Sequence, residues 1–314
     1  MSSYVTDVLD SYLLGGTMKN LIRYLLIAFG GAWVLQAVAI VAMQMVPAEL
    51  QTAVFQIPVA VSMLVPLLAV IIVSKGISPT KTGIKWGIHL KGRIKWIFIA
   101  FFGPLVFTLV GATLYFAIFN QDLTLEGGFI TAQYPPEVLE QLPFSPSFLV
   151  LISLVSALTY GPLINMFFAA GEEAGWRGFM VPLLMQKLGR KGGLLLGGVI
   201  WGAWHWPIII FAGYQYGIGY FGAPFSGMAG MCLFTIALGI LLQMLYEKTD
   251  CIWIPALAHG ALNAVAGLPL YFMPADTTNY LLGPTLAGLI PVLPLLVVAL
   301  VVFIIAKPRL KTEP

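Results

Sequence analysis

The sequence is short of charge, of cysteine and of histidine, and each shortage excludes something. Charged side chains make up 9% of the 314 residues, against 59% hydrophobic and a mean hydropathy of +0.92. A water-soluble domain carries roughly 25% charge, so this chain does not keep its surface in water. Two cysteines, Cys232 and Cys251, are too few and too far apart for a disulfide framework or a thiolate metal centre, and read as small apolar residues in helices. The chain shows no internal repeat and no low-complexity tract, which favours a single membrane domain. The net charge of +3 carries no nucleic-acid signal, because the basic residues are laid out by membrane topology.

What the sequence has in abundance is long apolar runs. A helix needs about 20 residues to cross the ~30 Å hydrocarbon core, and hydropathy predicts eight spans near 24–46, 53–74, 96–119, 148–170, 192–211, 227–246, 252–272 and 284–306. The expected fold is therefore all-α, a polytopic transmembrane helical bundle: a lead over residues 1–20, a membrane domain over 21–306 and a tail over 307–314. From Ser147 to Gln186 the chain is apolar for twice the length of one span, which predicts a long or broken helix with Glu172 and Glu173 below the membrane surface. Basic residues collect on the cytoplasmic side of membrane proteins, and all 16 Lys and Arg fall on one side of this arrangement. They flank the first span, fill the segments 75–95, 177–191 and around Lys248, and close the chain at Lys307, Arg309 and Lys311. The opposite loops carry only acids: Glu49, Asp122, Glu126, Glu137, Glu140 and Asp276. The expected location is the cell membrane, multi-pass, with both termini cytoplasmic. The apolar run that starts near residue 24 continues to Val46, past the small-residue site Ala37-Val38-Ala39, and the lead contains Asp7 and Asp10. That pattern reads as a retained span after a cytoplasmic lead, with an interfacial segment around Tyr12, Leu13 and Leu14, and against a cleaved signal peptide.

Ionisable groups at membrane depth cost ~2.5–3.5 kcal/mol each on insertion scales, so those that remain are candidates for function. Three groups remain. In Gly171-Glu172-Glu173-Ala174-Gly175-Trp176-Arg177, Glu173 and Arg177 are spaced i, i+4 with the acid first, the better orientation for a helical ion pair. Glu172 points about 100° away and is left free to face another helix. Gly171 and Gly175 permit close helix approach. The second group is His205 within Trp201-Gly202-Ala203-Trp204-His205-Trp206-Pro207, and the third is His259 with Asn263, which share one helical face. Taken alone, His205 reads better as a neutral residue hydrogen-bonding across helices, and His259 with Asn263 has the same alternative reading. The third histidine, His89, lies in a basic loop and reads as surface. Together Glu172, His205, His259 and Asn263 supply a base, a second proton-handling group and donors for an oxyanion, the set that water attack on an amide requires.

The pattern Glu172-Glu173-x-x-x-Arg177, then Trp201-x-x-x-His205, then His259-x-x-x-Asn263 resembles the CPBP family over about 148–272. That family includes the type II CAAX prenyl endopeptidases and the bacterial Abi, or bacteriocin self-immunity, proteins. The usual aromatic of the second motif is Phe, and Trp201 is a mild departure. The resemblance implies an eight-span core with a conical cavity, and cleavage of a membrane-associated or CAAX-like protein or peptide. It assigns Glu172 as general base assisted by His205, His259 and Asn263 to the oxyanion, and Glu173 and Arg177 as braces of the motif helix. The family is often classed as a metalloprotease group. If a zinc is held, Glu172, His205 and His259 are the ligands the sequence offers; the metal-free glutamate-activated water is the first choice here, since no His-Glu-x-x-His motif is present. The expected partners are a protein or peptide substrate at the membrane and the lipid bilayer, with no nucleic acid.

Other intramembrane proteases lack their residues here. Ser226 follows Pro224 and Phe225 and makes no Gly-x-Ser-Gly turn, and beyond the lead the aspartates are Asp122, Asp250 and Asp276, all in loops. A secondary transporter or channel could also use buried Glu, Arg and His, although the polar residues cluster in one half without a repeat. A non-catalytic immunity scaffold is the other alternative, one that has no need of all four residues.

Overall fold

The computed structural model describes residues 17–74, 82–87, 91–125, 128, 137, 140 and 146–305. His89, residues 1–16 with Tyr12, Leu13 and Leu14, and the tail 307–314 lie outside the described residues. Among those described, the chain is helical with no strand, and one isolated bridge joins Gly217 and Asn279. The helices are α1 (Thr17–Gln44), α2 (Ala48–Ser62), α3 (Val65–Val73), α4 (Ile94–Ile118), α5 (Pro146–Leu158) and α6 (Gly161–Gly175). They continue with α7 (Val181–Trp204), α8 (Trp206–Ala212), α9 (Phe225–Thr249), α10 (Trp253–Val265) and α11 (Leu293–Ile305). A π-helical turn, Trp176–Met180, joins α6 to α7.

Among the described residues, five continuous helical stretches are long and apolar enough to cross a membrane: Met18–Gln44, Glu49–Val73, Ile94–Ile118, Gly161–Ala212 and Phe225–Thr249. The fourth, at 52 residues, has the length of two crossings, and it turns at Gly189, whose φ of 72° is a left-handed conformation that suits glycine. Large apolar side chains such as Leu26, Val34, Ile57, Phe98 and Val297 point outward. An apolar exterior of this kind matches lipid as the solvent. Inside, Tyr24, Trp176, Trp201, Trp204, Leu242 and Ile252 belong to one continuous core that α1, α6, α7, α9 and α10 surround.

Three expected spans are corrected. The stretch 148–170 is not one helix: α5 stops at Leu158 and α6 restarts at Gly161 with Pro162 in its first turn, because proline has no N–H to continue a helix but is suited to begin one. The forty-residue apolar region thus holds a broken helix, as expected. The stretch 252–272 is α-helical only over Trp253–Val265, followed by a 3₁₀ turn at Leu268–Phe272 with Pro269 near its start. The stretch 284–306 is helical only from Leu293, and Pro284 and Pro291 precede it. The first helix also starts earlier than 24, at Thr17.

The loops sort into two ends. At one end, Ile252 N–H donates to the Lys85 carbonyl at 2.7 Å and Lys85 N–H to the Tyr246 hydroxyl at 3.1 Å. Arg190 pairs with Glu247, and the Lys191 ammonium stands 5.6 Å from the Phe303 ring. At the other end, Thr124 N–H donates to Phe272, Ile218 N–H to Thr278 and Tyr280 N–H to Tyr216 at 2.8–2.9 Å. Basic segments distant in sequence therefore share one end of the bundle.

Candidate active site

The acidic pair sits at the end of α6, where the helix must pass close to two neighbours. A Cβ added at Gly171 would meet the Met63 carbonyl oxygen at 2.6 Å, and one at Gly175 would meet Pro66 Cβ at 2.4 Å and the Tyr24 hydroxyl at 2.6 Å. The two glycines let α1 and the α2–α3 junction press against this face, as their spacing suggested. The helix then widens into the π turn, with Val181 N–H reaching back to the Trp176 carbonyl; such turns recur at functional sites.

The two glutamates are adjacent in sequence and have different partners. Glu172 is 2% exposed, and its Oε2 accepts two indole N–H bonds, from Trp176 at 2.9 Å and from Trp201 on α7 at 2.6 Å. Glu173 is fully buried, and its Oε1 accepts from the Arg177 guanidinium at 3.1 Å and from His259 Nδ1 on α10 at 2.8 Å. Arg177 is buried too, and its guanidinium stacks 4.0 Å from the Trp201 ring centroid. Charges this deep are tolerated only when paired and hydrogen-bonded. The expected Glu173–Arg177 pair is present, and Glu173 in addition joins α6 to α10.

His205 lies at the break between α7 and α8, beside Pro207. Its Nδ1 is 3.0 Å from the Trp201 carbonyl oxygen, which can only accept, so Nδ1 carries the proton and Nε2 is the free acceptor. The ring is half-buried, edge-on to Trp204 and parallel to Tyr214 at 6.1 Å. At the same break the Trp204 carbonyl accepts Gln36 Nε2 at 3.1 Å and Trp33 Nε1 at 3.2 Å, and the Trp204 indole donates to the Ala28 carbonyl. Neighbouring side chains thus satisfy backbone groups that a broken membrane helix would strand.

His259 is buried, with the Trp201 ring edge-on at 5.3 Å. Asn263, one turn along the same face of α10, is exposed and hydrogen-bonds none of the other six residues. The structure therefore interlocks Glu172, Glu173, Arg177, Trp201 and His259, attaches His205 through Trp201, and leaves Asn263 at the rim. Two contributions escaped the sequence reading. Trp176 is a donor to Glu172, and its i, i+4 spacing was the available signal; Trp201 acts through its indole N–H, which the phenylalanine usual at that position lacks.

The donors do not make a zinc site. Among the described residues no three His, Cys, Asp or Glu side chains stand together as a metal-binding group, and Glu172 Oε2 is already taken by two indoles.

No curated protein matches the chain. Residues 140–265, which supply every one of these seven side chains, match the family model described as type II CAAX prenyl endopeptidase Rce1-like, a match consistent with the CPBP/CAAX protease family.

Proposed function

We propose that the protein is an intramembrane endopeptidase that hydrolyses a peptide bond in a membrane-associated or CAAX-like protein or peptide, with both of its termini cytoplasmic. The observation that carries this reading is the Glu172 carboxylate, buried, held through one oxygen by the Trp176 and Trp201 indoles, and linked through Trp201 to both histidine-bearing segments. Water is the nucleophile. Glu172 takes its proton as the oxygen attacks the scissile carbonyl, and returns that proton to the leaving amine when the C–N bond breaks. His205 presents Nε2 to the same water. The Asn263 side-chain amide donates to the tetrahedral oxyanion, and its exposure leaves that amide free to do so. His259, held at Nδ1 by the Glu173 carboxylate, is the second residue assigned to the oxyanion. Glu173 and Arg177 hold the helix ends in register, and no step uses a metal.

The test is turnover of a prenylated peptide ending in a CAAX sequence by purified protein in micelles. Glu172→Gln should abolish cleavage while expression and folding persist, and retained turnover in that variant would reject the mechanism. Stoichiometric zinc in active protein, with activity lost on its removal, would overturn the metal-free step. Proton flux in liposomes without any peptide cleavage would favour a transporter.

A further inference from the structure

Tyr24 lies on α1, far outside residues 140–265, yet it packs on the face of α6 that carries Glu172. Glu172, Gly175 and Trp176 are spaced i, i+3, i+4 and so share one helical face. The Tyr24 ring meets Trp176 edge-on at 5.9 Å and Phe179 at 5.0 Å. Its hydroxyl lies where only a glycine at 175 leaves room, 2.6 Å from the place a Cβ would take. The side chain is completely buried, and the hydroxyl has no hydrogen-bond partner among the described residues. It lies within electrostatic reach of both Glu172 and Arg177. A buried hydroxyl without a partner is destabilising, and phenylalanine would fill the same space without that cost. Packing therefore gives no reason for tyrosine here. Glu172 supplies one: both indole donors bind Oε2, and Oε1 accepts no described hydrogen bond.

We propose that Tyr24 is a positioning residue of the active site, whose hydroxyl donates through one water to Glu172 Oε1 and so fixes the carboxylate for proton transfer. This rests on the reading of Glu172 as the base. With Oε2 held by two indoles and Oε1 reached from the phenol through that water, the carboxylate is restrained from α6, α7 and α1 together. Rotation of the carboxylate away from the reacting water is then restricted, which is how an orienting group raises turnover without touching substrate.

The test compares wild type, Tyr24→Phe and Glu172→Gln in two measurements. In infrared difference spectra the Glu172→Gln variant identifies the Glu172 carboxylate band. Tyr24→Phe should move that band and leave the melting temperature unchanged or raised. With a prenylated CAAX peptide as substrate, Tyr24→Phe should lower kcat about tenfold with KM unchanged. A carboxylate band that stays in place in Tyr24→Phe overturns the inference, as does a wild-type kcat. Turnover retained by Glu172→Gln would instead overturn the assignment of the base, and the infrared band would still decide whether the phenol and the carboxylate are linked.

Discussion

The interior of the site and its rim are built on opposite principles. In the interior, Glu172, Glu173, Arg177, Trp201 and His259 are buried and bonded to one another. At the rim, His205 is half-buried with one bond to its own helix, and Asn263 is exposed. The difference separates two jobs that the motif residues appear to share when read as letters. Groups whose charges are cancelled by fixed neighbours keep three helices together, while groups with unused hydrogen-bonding capacity, Glu172 Oε1 among them, are those to which the proposed reaction gives water and substrate.

If that division holds, substitutions of Glu173, Arg177 and Trp201 cost stability and substitutions at the rim cost turnover, with Glu172 the one interior group whose loss costs turnover instead. The largest expected effect is Arg177→Ala, which leaves Glu173 buried without its cation and should lower unfolding stability by about 3–5 kcal/mol, read by equilibrium denaturation in mixed micelles. A variant that unfolds like wild type would show that His259 alone balances Glu173. Next, Asn263→Ala should reduce turnover by about 10²–10³, or roughly 2.7–4 kcal/mol of barrier, with an unaltered denaturation midpoint; a wild-type rate removes Asn263 from the chemistry. Trp201→Phe keeps a ring beside Arg177 but deletes a donor to a buried carboxylate, and should cost about 1.5–3 kcal/mol of stability. The smallest effect belongs to the ion pair at the bundle's basic end, where Glu247→Gln should change stability by less than about 1 kcal/mol, measured in the same denaturation experiment at low and high salt.

Much of this architecture was legible in the sequence, for reasons that can be traced. Hydropathy located the helices because lipid enforces length and apolarity, and it failed where proline interrupts a run: Pro162, Pro269, Pro284 and Pro291 each mark a place where an apolar stretch stops being a regular helix. The grouping of Lys85, Arg190 and Lys191 at one end followed from charge alone. The ion pair of Glu173 with Arg177 was readable because it is local. The bond between Glu173 and His259 spans 86 positions and could be anticipated only as a convergence of polar residues, without saying which glutamate meets which imidazole. Trp176 was overlooked for another reason: an aromatic residue in a membrane helix looks like ordinary apolar filling, and only its neighbours reveal that the polar atom is in use.

The capture of the Trp204 carbonyl by Gln36 and Trp33 bears on how the protein is made. These donors precede their acceptor by 168 and 171 positions, so during synthesis the first helix is in place long before the histidine segment leaves the ribosome. A polypeptide trimmed to the motif-bearing portion would lack the residues that close its broken helix. It should fail to mature in the bilayer even with every reactive side chain intact.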